Sequence, residues 1–165
     1  MQSLINFIRL TFSNEIALLI ISMLPLVELK GSIPIGLAMG FKPINAYLYS
    51  IIGSSIPAIF IILWIMPIFS YMKKKNKLKK IVAWAEKKAK KKEEKIKKYE
   101  YLGLFLFVAI PLPGTGVWIG SLIASILGLN KKKSLIIVCL GNVIAGIIIY
   151  IFSSFFKGII RWKKE

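Results

Sequence analysis

Hydrophobic residues fall in blocks along this chain, and short polar interruptions divide those blocks into elements. Residues 1–13 place Leu4, Ile5, Ile8 and Phe12 on one helical face, with Gln2, Arg9 and Ser13 elsewhere. That periodicity predicts a short amphipathic helix lying in a membrane interface. Residues 16–27 are apolar but only twelve residues long. At ~1.5 Å per residue they cover about 18 Å, against a hydrocarbon core of about 30 Å, so they cannot cross it alone. Glu28, Lys30 and Pro34 interrupt the pattern before a second short apolar piece ends at Gly40 and Phe41. Two short apolar pieces around two charges predict a hairpin that enters the membrane and leaves by the same face. A full span follows over residues 44–70.

Residues 72–101 are lysine-rich, with Leu78, Ile81, Val82, Ala85, Ala89, Ile96 and Tyr99 at helical spacing. They predict a basic amphipathic helix on the membrane surface. The next uncharged run, residues 102–130, is long enough to cross, yet Pro111, Pro113, Gly114 and Gly116 fall within six residues of one another. Proline removes a backbone donor and crowds the preceding turn, while glycine costs conformational entropy in a helix. A broken backbone inside hydrocarbon is tolerated only where protein or a watery cavity surrounds it. This run therefore predicts two half-helices meeting at a break. Lys131, Lys132 and Lys133 mark a return to the surface, residues 135–156 predict the second full span, and residues 157–165 form a charged tail.

The two halves resemble one another. Sliding the sequence by 88 residues without gaps lays Leu24-Pro25 on Leu112-Pro113, Gly40 on Gly128, Gly53 on Gly141 and Ile56 on Ile144. Ile35, Ile59 and Ile61 fall on Ile123, Ile147 and Ile149. The expected fold is an all-α integral membrane protein in one domain of 165 residues. It is an inverted repeat of two units, residues 15–70 and 102–156, each a re-entrant broken-helix hairpin followed by a transmembrane helix. One crossing joins the copies, so they enter from opposite faces. Interrupted apolar segments at matching places in two halves point to a transporter's binding site.

Composition sharpens this reading. The chain is 56% hydrophobic with a mean hydropathy of +0.70, and several uncharged stretches of such length belong to a membrane protein. Its core is thin, and association with a second copy is expected. The net charge of +17 suggests nucleic acid until its distribution is considered. Fourteen of the 24 basic residues fall at positions 73–98, where a basic cluster beside a span faces the cytoplasm and its anionic lipids. Nucleic acid is therefore not an expected partner. No cleavable leader is expected at residues 1–12. With no histidine and one cysteine, Cys139, there is neither a disulfide framework nor an N/S metal site, and no cofactor is expected. No catalytic constellation is present, so an enzyme is not expected.

Glu28 is the sharpest candidate for chemistry. An acidic residue in a membrane-embedded segment tends to face a cavity or a partner and to serve ion or proton movement. Alternatively it ends a helix at the surface, or pairs with Lys30, which requires a broken backbone because residues two apart do not share a helix face. Lys30 is either the counter-charge of Glu28 or a site for an anionic headgroup. Pro25, Pro34, Pro111 and Pro113 are expected as hairpin breaks, with Gly114 and Gly116 freeing N–H groups for an anion or water. Gly36 with Gly40, and Gly116 with Gly120, have the spacing of close helix contacts. Trp118 is a cavity-lining aromatic or an interface anchor. Asn142, at the position matching Ser54, is a polar residue suited to a helix-to-helix hydrogen bond.

The segments Glu-Leu-Lys-Gly-Ser-Ile-Pro at 28–34 and Pro-Leu-Pro-Gly-Thr-Gly-Val-Trp at 111–118 resemble the small multi-drug export family, which looks like a compact relative of the DedA (SNARE-associated) membrane proteins. The resemblance implies two hairpins facing each other across the membrane and an export activity. It makes Glu28, Pro34, Pro111, Pro113, Gly114, Gly116 and Trp118 the signature positions, with Lys30 where an arginine is commoner. The expected function is a small multi-pass transporter of the inner (cell) membrane, exporting a small or amphiphilic solute with proton coupling through Glu28. Two alternatives stand beside it: a lipid scramblase or lipid-phosphate carrier using Lys30, and a non-transporting protein whose basic helix recruits lipid or partners.

Overall fold

The computed structural model describes residues 2–74 and 99–162. The body of the basic helix expected over 72–101, with its anionic-lipid contact, lies outside the described residues, as do the last three residues of the tail. The elements are α1 (Gln2–Thr11), α2 (Asn14–Met23), α3 (Glu28–Ala38), α4 (Pro43–Lys74), α5 (Glu100–Ala109), α6 (Val117–Ile126) and α7 (Lys131–Trp162). All regular structure among the described residues is helical. Helix α7 carries on through Trp162, so the charged tail begins inside a helix.

The order short, short, long occurs twice, and the same local causes set the boundaries each time. Helices α2 and α5 stop at Leu24 and Ile110, both extended with ψ of 133° and 114°. Each precedes a proline, whose ring disfavours the helical conformation at the residue before it. Helices α3 and α6 stop at Gly40 and Gly128, with φ of +89° and +66°. In both, the glycine N–H and the next residue's N–H turn back to the helix: Gly40 to Leu37 and Phe41 to Gly36, Gly128 to Ser125 and Leu129 to Ala124. This paired closure requires a left-handed residue, which glycine supplies without a Cβ penalty. Helix α4 then starts with Pro43 at its first position, where no N–H is missed. Asn130 starts α7 by accepting the Lys133 N–H at 3.1 Å, as a side-chain cap does.

The long helices α4 and α7 run 43–74 and 131–162, a shift of 88 at both ends. The short helices α2 and α5 run 14–23 and 100–109, a shift of 86. The second half therefore carries two extra residues in its break. In the structure Pro25 corresponds to Pro111, not to Pro113 as the gapless comparison had it. Packing agrees: a Cβ at Gly53 would strike the Leu19 carbonyl, and one at Gly141 the Phe105 carbonyl, which are also 86 apart.

Each pair of short helices folds back on itself. Leu18 of α2 lies against Gly36 of α3, and Val108 of α5 against Gly120 of α6. At ~1.5 Å per residue each short helix is about 15 Å long, half a hydrocarbon thickness. Helices α4 and α7 pack antiparallel: Tyr47 meets the Tyr150 ring at 5.9 Å, Ile51 lies against Gly146, and Ser54 is bonded to Asn142. Helix α3 packs on α7 as well as α4, and α6 on α4 as well as α7. The hairpins are thereby threaded between the two long helices.

Two windows, Pro43–Ile65 and Lys131–Ser153, are long and apolar enough to cross a membrane, with 33% and 28% of their residues buried. The core helix of a soluble protein would hide most of such a surface. These instead present Ile52, Phe60, Trp64, Ile136, Ile151 and Phe152 outward.

Candidate functional site at the hairpin junction

The turns of the two hairpins meet. The first turn spans residues 24–27 and ends in Glu28, whose φ is +46°. A side chain in this left-handed region costs on the order of 1–3 kcal/mol and persists only where its surroundings hold it. That bend is what lets two residues only two positions apart form a pair: Lys30 Nζ lies 3.6 Å from Glu28 Oε2. The Glu28 carboxylate also accepts the Trp118 backbone N–H at 3.2 Å on Oε1. Glu28 is 5% exposed and is the first residue of α3, a helix end held inside the protein.

The second turn, residues 110–116, is knitted by Thr115. Its hydroxyl receives the Leu112 N–H at 3.1 Å and lies 2.8 Å from the Ile110 and Leu112 carbonyls, one of which takes its proton. The turn directs carbonyls toward the first hairpin. Lys30 Nζ donates to Leu112 O at 2.8 Å, to Thr115 O, and to Thr115 Oγ1 at 3.3 Å. In return, the Trp118 indole N–H crosses to the Met23 carbonyl at 3.0 Å. Lys30 and Trp118 are 88 positions apart, so matching positions of the two halves each reach into the opposite turn.

Gly116 closes the junction. Its φ is +123°, and a Cβ there would overlap Glu28 Oε2 and lie 2.9 Å from the carboxyl carbon. It is the residue matching Glu28 under the 88-residue shift. Gly114, at φ +81°, has open space around it, and Pro25 and Pro113 are exposed on the two turns.

The structure thus brings together Glu28, Lys30, Trp118, Gly116 and the break containing Pro111 and Pro113. It does not place Pro34 at a break: that proline lies inside an unbroken α3, where its missing N–H leaves the Lys30 carbonyl without its helical donor. Asn142 lies in the helix seam, donating to Ser54 Oγ at 2.8 Å, Ser55 Oγ at 2.9 Å and Ile51 O at 3.4 Å. None of its hydrogen bonds reaches Glu28 or Lys30. Of the glycines spaced for helix contact, Gly36 and Gly120 pack against neighbours while Gly40 ends a helix. Thr115 and the Met23 carbonyl take part in the hydrogen bonds of the junction and were passed over in the sequence reading. A hydroxyl residue between two glycines in a turn was the available signal, because such side chains hydrogen-bond their own backbone. No group of three acidic, cysteine or histidine residues capable of holding a metal occurs among the described residues.

Two long helices, each apolar and long enough to cross a membrane, enclose two half-length hairpins that meet at a buried carboxylate, the build of a membrane protein with an internal polar junction. Residues 28–148 match the family described as "Putative small multi-drug export protein", and the chain belongs to that family. The match starts at Glu28 and takes in Lys30 and the second turn through Trp118, leaving out Met23 and the first turn. No curated protein and no solved structure matches the chain.

Proposed function

We propose that this protein is a proton-coupled exporter of a small or amphiphilic solute, with its site between two re-entrant hairpins at mid-membrane depth. The observation that carries the reading is Glu28, a carboxylate buried at the contact of two hairpins too short to cross. An acidic group kept in such a place is costly and tends to serve ion or proton movement. Lys30 is the charged side chain that faces it, so a proton arriving on the carboxylate would break the pair and loosen one hairpin from the other.

The antiparallel seam of α4 and α7 supports an inverted arrangement. Each hairpin precedes the start of its own long helix, and antiparallel helices start at opposite ends. Placing Lys131, Lys132 and Lys133 in the cytoplasm orients the second hairpin inward, following the positive-inside tendency. On this reading the protein spans the cytoplasmic membrane, and the two turns meet where the faces are equally distant. The lipid-carrier alternative needs Lys30 free for a phosphate, whereas its ammonium is engaged by oxygens.

Proteoliposomes carrying an imposed pH gradient test the proposal, with a fluorescent cationic dye and a labelled phospholipid followed in parallel. Gradient-driven dye movement by the native protein, lost in Glu28→Gln inserted at equal level, is the expected result. Undiminished gradient-driven uptake by that variant would remove the proton role. Lipid flipping with no dye movement would transfer the junction to the lipid-carrier reading.

A further inference from the structure

The Lys30 ammonium sits in a nest of oxygen atoms that belong to other residues. Leu112 O lies 2.8 Å away, Thr115 O adjoins it, Thr115 Oγ1 lies at 3.3 Å and Glu28 Oε2 at 3.6 Å. An ammonium carries three donors and no acceptor, and here three neutral oxygens and a carboxylate surround it. The neutral oxygens come from one turn, fixed by the internal bonds of Thr115, and the negative charge comes from the other. The cradle is therefore built by the meeting of hairpins rather than by Lys30 itself. It is also reachable: the Lys30 side chain is 24% exposed, and Leu112, Pro113 and Gly114 beside it are exposed.

We propose that Lys30 is the tethered occupant of a cation cradle, and that the solute recognised there is a primary or secondary ammonium ion that takes its place. This deepens the transport reading by naming the class of solute for that site. A hydrogen-bonding amine reproduces what Lys30 Nζ does: it donates to Leu112 O and Thr115 O and places its charge beside Glu28. Lys30, displaced, swings out on its four-carbon stem, releasing the first hairpin from the second turn. Binding and loosening of the junction are then one event. A quaternary ammonium has no N–H to offer the carbonyls and is rejected.

Thermal unfolding of the full-length protein in detergent, titrated with n-propylammonium chloride, tests this. Matched n-propanol, sodium chloride and tetramethylammonium chloride serve as controls. The native protein should show saturable stabilisation by propylammonium and by none of the controls. Lys30→Ala removes the competitor, whose effective concentration on a short tether is in the millimolar range, so the apparent affinity for propylammonium should rise about tenfold or more. Equal affinity in the two proteins, no saturable effect in either, or an equal effect of sodium or tetramethylammonium overturns the proposal. If Lys30→Ala yields no folded protein, Thr115→Val decides in an otherwise native chain. Losing one acceptor should weaken propylammonium about fivefold, and unchanged affinity overturns the cradle. The titration involves no transport step, so its failure leaves the proton role of Glu28 standing, and failure of the Glu28→Gln vesicle test leaves the titration intact.

Discussion

The carboxylate of Glu28 fills the volume that a side chain on Gly116 would require. The two residues occupy matching places in the two halves, and both have positive φ, +46° and +123°. Gly116→Ala should therefore combine backbone strain with eviction of the carboxylate, costing ~2 kcal/mol or more. Gly114→Ala, with positive φ but open space, should cost about 1 kcal/mol. Chemical unfolding in detergent micelles measures both, and equal costs would mean that the carboxylate yields freely.

The inverted arrangement makes a prediction about sidedness. Lys42 and Lys132 are exposed residues at the starts of the two long helices. In a Cys139→Ser background, Lys42→Cys and Lys132→Cys should react with a membrane-impermeant maleimide from opposite sides of sealed vesicles. Labelling of both from one side is incompatible with hairpins of opposite entry.

Proline 34 offers a test with an unusual sign. It is exposed and lies inside α3, where a helix-interior proline costs ~3 kcal/mol relative to alanine. Pro34→Ala restores a donor for the Lys30 carbonyl and should raise the unfolding midpoint. Pro111→Ala, which removes the cause of the extended Ile110, should lower it. A destabilising Pro34→Ala would show that the proline shapes the junction by more than its missing donor.

The seam between α4 and α7 depends on Asn142 and Ser54. A double-mutant cycle of Asn142→Ala with Ser54→Ala should give a coupling of about 0.6–2 kcal/mol, the range found for hydrogen bonds between membrane helices. A coupling indistinguishable from zero would assign the seam to the packing of Tyr47 and Ile51 on α7.

Much of this architecture is legible in the sequence because its signals are local. Proline fixes the residue before it, which is why Leu24-Pro25 and Ile110-Pro111 announce two breaks. Glycine followed by Phe41 or Leu129 announces two helix stops. Proline 34 misled because the same residue that ends one helix can sit exposed inside another, with a single carbonyl left to find other company. The two-residue insertion between α5 and α6 is invisible to a gapless comparison, since a branched aliphatic residue followed by proline recurs on either register, as Ile110-Pro111 and Leu112-Pro113. Two of the partners of Lys30, and the partner of the Trp118 indole, are backbone carbonyls in the opposite half. Every residue type carries that atom, so no letter in the sequence marks it.

Lys30 to Leu112, Trp118 to Met23 and Asn142 to Ser54 all run from one half of the molecule to the other. Each of these bonds needs both halves, so the assembly has the logic of a dimer whose subunits happen to share a chain. Two separate polypeptides, one ending and the other beginning within positions 75–98, should recognise each other when made together and recover the same interlocked pair.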